Sequence, residues 1–306
     1  MRRFILGWFL LGTTLEVAVA QYSLQIGNVT WSGSPGGYNC FSSSEYPNTV
    51  NFTITKTVAG NRNYAVTAGP SATTGTYTRQ LRSGASRLNY QLYTTSARSF
   101  VLKAPTSATA NEVISGSSNA GVGTAIPLSF TFHIPPDQLV LPGTYTDQIT
   151  VSIYRSYSDT RAPIDTRTIT FTTVVVPAAI LSLVTSGSGF SGSTSQNLNF
   201  GTLTQGKSLG CDLLVRKNTG CNVTFSSLNG GVLRLIPSPT TDAVAYSCTV
   251  NGTLLNLATP APLSLPAGLS PSQDGNRLPI QITIGDPANA AAGDYQDQIT
   301  ITVVAL

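Results

Sequence analysis

Hydrophobic and polar residues alternate along most of this chain, which is the pattern of β-strands that pack one face on a core. Residues 50–58 alternate Val, Phe and Ile with Asn, Thr and Lys, and residues 128–134 place two Phe between Leu128 and Ile134 on one face. Clusters of Gly, Pro, Asn and Ser separate these runs at short intervals, and no stretch has a helical period. The pattern predicts an all-β protein built from antiparallel Ig-like sandwiches.

One strand sequence occurs twice, 150 positions apart. Residues 143–151 read Gly-Thr-Tyr-Thr-Asp-Gln-Ile-Thr-Val, and residues 293–301 read Gly-Asp-Tyr-Gln-Asp-Gln-Ile-Thr-Ile. The apolar run 128–134 also has a counterpart, at residues 278–284, with the same offset. A length of 306 residues suits two domains. The repeat therefore predicts two domains of one design in tandem.

Shorter segments extend the repeat with other offsets, which indicates loops of different length in the two copies. Leu88–Leu92 resembles Val244–Cys248, and Ile26–Val29 resembles Phe200–Leu203. We place the join between the domains at Pro177, because proline cannot donate a ladder hydrogen bond and suits the exit from a strand.

The second domain is expected to lack its closing strand. After the first copy of the repeat the chain adds an apolar strand, Ile169–Val176, whereas the sequence stops at Leu306 soon after the second copy. We therefore expect a complete sandwich at residues 21–176 and an incomplete one at residues 178–306. An open sheet edge invites a strand from another chain. The groove for that strand should be bordered by Tyr295, Ile299, Ile301 and Val303.

The first twenty residues have the features of an export signal. Arg2 and Arg3 precede the apolar run Phe4–Leu11, and Ala18-Val19-Ala20 offers a small-residue cleavage site. The run is too short to span a membrane, and Glu16 interrupts it. Of all residues 10% are charged, and the net charge of +4 is too weak and dispersed to favour nucleic acid as a partner.

Four cysteines in an exported chain predict disulfide chemistry. Cys221 and Cys248 occupy positions that hold a Tyr and a Leu in the first domain. Both positions therefore differ between the two copies of the repeat, as expected if the two cysteines form a bridge in the core. We predict a Cys221–Cys248 disulfide, with Cys211 as the competing partner for either thiol. Cys40 is expected to be free or to bridge the two domains. The spacing of the four cysteines argues against a zinc site.

No motif of catalysis is present. The single histidine, His133, lies out of phase with the apolar face of its strand, which favours an exposed or capping role. Asp147 and Asp297 repeat between the copies, which favours a structural role at a strand start. Neither a catalytic triad nor a metal-binding or phosphate-binding motif can be built. We expect no enzyme, cofactor or metal; a secreted enzyme with an Ig-like accessory module is the alternative from another class.

Apolar loops in the first domain are the candidates for binding. The loop Ala104–Ile126 and the connection Arg155–Pro163 should lie at the end that faces away from the second domain, and Trp31–Pro47 is rich in aromatic residues. An exposed apolar patch would mark a binding surface, whereas aromatic residues that fold back would cover the core. The candidate adhesive residues are Trp31, Tyr38, Phe41, Val113, Ile114, Val122 and Tyr157.

Three segments of the second domain resemble the spore coat protein U domain. They are Phe200-Gly201, the strand Val215–Gly220 and the segment Ala292–Asp297, and the Gly-x-Tyr-x-Asp-x-(Ile/Val)-Thr-(Ile/Val) motif is the most specific of them. The resemblance covers the second domain well and the first loosely. This family forms the subunits of archaic chaperone–usher pili, and a member with an added N-terminal Ig-like domain resembles a tip adhesin of such a pilus.

The resemblance implies a periplasmic chaperone that lends the missing strand, and an adjacent subunit whose N-terminal extension replaces it at the outer-membrane usher. It also implies export through the periplasm to the pilus tip at the cell surface, where hydrophobic loops bind abiotic or host surfaces in biofilm formation. Gln21 leads almost directly into the first strand, without a long donor tail, which fits a tip position. The alternatives are a glycan-binding tip lectin and an internal structural pilus or coat subunit.

Overall fold

The computed structural model describes residues 24–26, 37–159, 161–237 and 242–306, with the backbone alone for 24–26. These residues form twenty β-strands and two short 3-10 turns, Pro105–Ser107 and Ala110–Glu112. The described part of the chain has no helix with the length and apolar character that crossing a membrane requires. The predicted export signal and Trp31 lie outside the described residues. The fold class is all-β, with two sandwiches in tandem, as the alternation predicts.

The first sandwich contains strands β1 to β10 in two sheets. One sheet has the order β1-β2-β8-β6, and the other has the order β5-β4-β9-β3-β7, with β10 on the opposite edge of β9. The strands are β1 (Leu24–Ile26), β2 (Tyr46–Lys56), β3 (Arg62–Ala68), β4 (Gln80–Ser83), β5 (Ser86–Asn89), β6 (Gln91–Tyr93), β7 (Ile114–Ser118), β8 (Ala125–Ile134), β9 (Gly143–Tyr154) and β10 (Asp165–Val175).

Alternating residues of these strands form the core between the two sheets. Val50 and Phe52 of β2 are buried, and residues between and beside them are polar. The ring of Phe132 in β8 has its centroid 4.9 Å from that of Tyr90 and 4.8 Å from that of Phe171 in β10. Burial of each such side chain stabilises the fold by about 1.5–3 kcal/mol. The closing strand β10 is therefore an integral part of the first core.

The second sandwich contains strands β11 to β20. One sheet has the order β11-β12-β18-β15-β14-β19, with β16 paired to β15, and the other has the order β17-β13-β20. The strands are β11 (Ala179–Val184), β12 (Ser208–Lys217), β13 (Cys221–Ser227), β14 (Val232–Ile236), β15 (Ala243–Val250), β16 (Thr253–Leu255), β17 (Ala261–Leu265), β18 (Asn276–Ile284), β19 (Asp294–Gln296) and β20 (Ile299–Ala305).

Strand register shows that the two sandwiches are copies of one plan. Leu92 pairs with Phe132 in the first, and Cys248 pairs with Ile282 in the second. Phe132 and Ile282 are 150 positions apart, which is the offset of the sequence repeat. In the same way β13 pairs with β20 as β3 pairs with β9. The combined strand β19–β20 is thus the counterpart of β9.

The register corrects one part of the sequence repeat. Ile26 of β1 pairs with Ile54, and Leu181 of β11 pairs with Val215. The counterpart of β1 is therefore β11, whereas Phe200–Leu203 belongs to the connection that follows it. An apolar tetrapeptide that contains glycine is too short to define a strand register, which is why the sequence match fell on the wrong segment.

Strand β10 leads directly into the second sandwich. It pairs with β9 over its whole length, from Asp165↔Ile153 to Val175↔Gly143. The side chain of Asn218 then spans the join, since its oxygen accepts a 2.8 Å hydrogen bond from the amide of Ala178 and its nitrogen donates a 3.0 Å bond to the carbonyl of Val176. The two sandwiches thus meet at residues 176–178.

Candidate functional site

A groove of about 860 Å³ opens in the second sandwich beside β19 and β20. Strand β20 pairs with β13 along one edge, and no strand of the described residues pairs with its other edge. Inward residues of β12, β15 and β18 form the floor, and the connection after β11 forms one wall. The apolar and aromatic residues that line the groove include Leu198, Phe200, Phe225, Val244, Tyr246, Ile280, Ile282, Tyr295, Ile299 and Ile301.

The same strand is covered in the first sandwich and open in the second. Ile149 and Val151 of β9 are 1% and 0% exposed, whereas their counterparts Ile299 and Ile301 of β20 are partly exposed and line the groove. Strand β10 accounts for the difference, because it covers β9 and no strand of the described chain takes the same place over β20. The groove is therefore the site of one missing strand.

Three of the four predicted groove residues line the groove, namely Tyr295, Ile299 and Ile301. The fourth, Val303, lies further along β20 and packs against the core of the second sandwich. Thr300 and Thr302 alternate with these residues and face solvent. The alternation along β20 thus places the apolar face inward, as expected from the sequence.

A hydrogen-bonded carboxylate lies at the wall of the groove. Asp297 accepts 2.6 Å hydrogen bonds from the hydroxyls of Tyr246 and Ser227 and a 3.0 Å bond from the amide of Asn229. Burial, together with the bond to Asp297, raises the pKa of Tyr246 well above its ordinary value. Because the carboxylate already has several donors, a strand could cover it without leaving a charge unpaired.

Two thiols face the same groove. Cys211 and Cys248 line it, and burial raises the pKa of Cys248 to about 11 and also raises that of Cys211. All four cysteines are free and buried, so the predicted Cys221–Cys248 disulfide is not formed in the structure. Cys221 lies on β13 and Cys248 on β15, which belong to opposite sheets. Cys40 is buried beside Asn218, near the join of the sandwiches.

Comparison with known protein families finds one similarity, in the first sandwich. Residues 30–152 match the model of the Spore Coat Protein U domain.

The first sandwich is therefore similar to a spore coat protein U domain.

The sequence had placed the better resemblance in the second sandwich, whereas this match covers strands β2 to β8 and most of β9.

Comparison with solved structures finds matches of low identity. The chaperone–tip adhesion subunit pre-assembly complex from archaic chaperone-usher Csu pili of Acinetobacter baumannii matches 90% of this chain and 99% of that chain, with 13% identity and a TM-score of 0.44. The CupB6 tip adhesin from Pseudomonas aeruginosa matches 92% of this chain and 94% of that chain, with 9% identity and a TM-score of 0.33. The comparison with curated proteins finds no match.

The structure divides the predicted adhesive residues of the first sandwich into buried and exposed groups. Tyr38 and Val113 are buried, and Phe41 and Ile114 pack against the core. These four side chains fold back and cover the core, which corrects their assignment to a solvent-facing surface. Val122 and Tyr157 are 59% and 43% exposed.

The loop Ala104–Ile126 is more structured than the sequence predicts. It contains both 3-10 turns and strand β7, which pairs with β3 at Val66↔Ile114. The pairing places Ile114 in the edge strand of the sheet, where it packs against the core, and leaves a short connection after Ser118, which carries Val122. The sequence does not predict strand β7, because the segment is rich in Gly, Ser and Ala, which are poor strand formers.

His133 is buried, which corrects its expected exposure. Its Nε2 lies 2.7 Å from an Arg98 nitrogen and 3.8 Å from a Glu45 oxygen. Burial, followed by the charge of Arg98, lowers the pKa of His133. Among the described residues, no group of three or more His, Cys, Asp or Glu is placed to hold a metal ion.

Sequence reasoning missed Tyr246 as a groove residue. The signal was available, because the similarity of Leu88–Leu92 to Val244–Cys248 aligns Tyr246 with Tyr90. It also missed the exposed apolar residues Phe100 and Leu141. Neither belongs to a repeated or aromatic segment, so the pattern of the chain gave no reason to select them.

Proposed function

We propose that this chain is the tip adhesin of a chaperone–usher pilus. In this proposal the second sandwich accepts a donor strand, first from a periplasmic chaperone and then from an adjacent subunit at the outer-membrane usher. The first sandwich binds an abiotic or host surface in attachment and biofilm formation. The observation that carries the proposal is the groove beside β20, where Ile299 and Ile301 are open to solvent although their counterparts in β9 are covered.

A donor strand would stabilise the second sandwich in two ways. It would pair with the backbone edge of β20, and it would remove apolar side chains such as Ile301 and Phe225 from water. The hydrophobic contribution is about 25 cal/mol for each Å² of apolar surface that is buried. In the first sandwich β10 pairs antiparallel to β9 over its whole length, and the proposed donor strand would take the same place beside β20.

The position at the tip is supported by the complete core of the first sandwich. Its own β10 fills the place that is open in the second sandwich. The chain therefore presents one groove for a neighbouring subunit and one closed domain for contact with a surface. An internal subunit needs no closed domain of this kind.

The adhesive end of the first sandwich is supported by strand direction. Strand β10 runs toward the join, so the connection of β9 to β10, which carries Tyr157, lies at the opposite end. Strand β8 begins near that same end, because β7 ends there. Ser118 of β7 pairs with Arg62 of β3, and β3 meets the end of β9 at Ala65↔Tyr154. The connection before β8 carries Val122. Two exposed apolar side chains thus lie on loops that face away from the second sandwich.

Expression in a periplasm with and without the chaperone tests the acceptor role. The full chain, Ile301→Asp and the matched control Thr302→Asp would be compared by co-purification. Thr302 neighbours Ile301 on β20 but faces solvent. We expect wild type and Thr302→Asp to be recovered as chaperone complexes, and Ile301→Asp to be lost, because a charge buried under a donor strand is costly.

The same experiment can overturn the proposal. A full chain that is a stable monomer without chaperone would show that the groove needs no external strand. Equal recovery of Ile301→Asp and Thr302→Asp with the chaperone would show that the strand binds elsewhere.

A further inference from the structure

The closing strand of the first sandwich indicates which side chains the open groove accepts. The inward residues of β10 are Ile169, Phe171, Thr173 and Val175, all of them buried. Phe171 pairs with Asp147 in the register of β9. Its ring centroid lies 4.8 Å from that of Phe132 and 6.0 Å from that of Tyr90. An aromatic side chain thus occupies the place next to Asp147.

The groove contains the counterparts of each neighbour of Phe171. Register places Tyr246 where Tyr90 lies, and Asp297 where Asp147 lies. It also places Ile282 at the position of Phe132, and Cys248 at that of Leu92. Ile282 is smaller than Phe132, and Cys248 is smaller than Leu92. The space beside Tyr246 in the groove should therefore be wider than the space that Phe171 fills in the first sandwich. Tyr246, Asp297, Ile282 and Cys248 all line the groove.

We propose that the groove selects a donor strand with an aromatic side chain opposite Asp297, stacked against Tyr246. This inference rests on the proposed acceptor function. The strand runs antiparallel to β20, as β10 runs to β9, and carries a small residue opposite Tyr295, where β10 has Thr173. Aromatic pairs in offset or tilted contact contribute binding free energy beyond their buried area.

The charge of the groove limits the donor strand further. Its charged lining residues are Asp294 and Asp297, both of them acidic. An acidic side chain on the inner face of the strand would meet these carboxylates and be repelled. The aromatic edge is compatible with Asp297, because the rim of a ring carries partial positive charge. The donor strand should therefore carry no acidic side chain on its inner face, and none of the inward residues of β10 is acidic.

Peptides test this selection on the full chain. A labelled peptide with the sequence of residues 165–176 would be titrated into the complex of the full chain with its chaperone. Its apparent Kd would be measured by fluorescence anisotropy as it replaces the chaperone strand. Peptides with Phe171→Ala, and with the exchange Ile169→Phe plus Phe171→Ile, would follow. The exchange keeps composition and hydrophobicity while it moves the ring away from Asp297. The chain variant Tyr246→Leu would complete the set.

We expect the Phe171→Ala peptide to bind at least about tenfold more weakly than the parent, and the exchanged peptide to bind more weakly as well. With Tyr246→Leu the difference in Kd between the parent and Phe171→Ala peptides should shrink. Equal binding of the three peptides to wild type would overturn the aromatic selection and leave strand acceptance intact. If no peptide binds, the result contradicts both the proposed acceptor function and the proposed selection of an aromatic side chain.

Discussion

The Tyr246 hydroxyl donates a 2.6 Å hydrogen bond to Asp297 at the wall of the groove. In the first sandwich, Tyr90 donates a bond of the same length to Asp147. Asp147 is buried under β10 and also accepts bonds from the amide and hydroxyl of Thr73. The same bond thus holds Asp297 beside the open groove of the second sandwich and Asp147 under β10 in the first. The carboxylate of the second sandwich already has the arrangement that a covering strand requires.

Removal of the tyrosine hydroxyl should destabilise the two sandwiches unequally. Tyr90→Phe takes one donor from the buried Asp147 and should cost about 1–3 kcal/mol. Tyr246→Phe should cost less than about 1 kcal/mol, because Asp297 is partly exposed and water can replace the donor. Chemical denaturation, with a separate probe for each sandwich, measures both. Equal losses of unfolding free energy in the two variants would show that Asp297 is as enclosed as Asp147.

Acid should weaken the connection between β9 and β10. Hydrogen bonds from Arg161 lower the pKa of Asp159 to about 2, and the Arg161 Nε lies 2.8 Å from an Asp159 oxygen. Since the pKa is lower in the folded state than in the unfolded chain, this stabilisation is present above the unfolded pKa. It is lost as the pH falls from about 4 to about 2.

A pH series of unfolding measurements on the first sandwich tests this loss. Asp159→Asn should remove the Asp159 contribution to the acid dependence. Arg161→Gln should reduce it only in part, because an Arg155 nitrogen also lies 3.5 Å from an Asp159 oxygen. The double variant should behave like Asp159→Asn, since that change alone removes both interactions. An unchanged slope between pH 4 and pH 2 in Asp159→Asn would contradict the assignment.

The thiols of the groove should report whether it is filled. Burial raises the pKa of Cys248 to about 11 and raises that of Cys211, so little thiolate exists near neutral pH and reaction with a disulfide reagent should be slow. A bound donor strand should slow both thiols further. Cys40, outside the groove, serves as the control and should keep its rate. If the donor peptide leaves the reaction rates of Cys211 and Cys248 unchanged, it binds elsewhere.

The sequence predicts the β-architecture well because alternation and repeat are both local signals. The copies at residues 143–151 and 293–301 identify the strand beside the groove and the inward residues Ile299 and Ile301. The adhesive residues were harder to predict, because exposure depends on long-range packing. Tyr38 is buried at the end of β10, where its amide bonds the carbonyl of Val174, and no pattern within residues 31–47 reveals that contact.

Adhesion should depend on the end of the first sandwich that faces away from the second. Val122 and Tyr157 lie on loops at that end and are exposed, and contact with a hydrophobic surface would remove both side chains from water. The double variant Val122→Ser/Tyr157→Ser should therefore bind hydrophobic plastic several-fold less than wild type. Leu141→Ser is a matched control, because Leu141 is 40% exposed but precedes β9 at the end near the join. It should bind as wild type does. Equal losses in both variants would show that adhesion is not confined to the far end, and specific binding on a glycan array would favour a lectin.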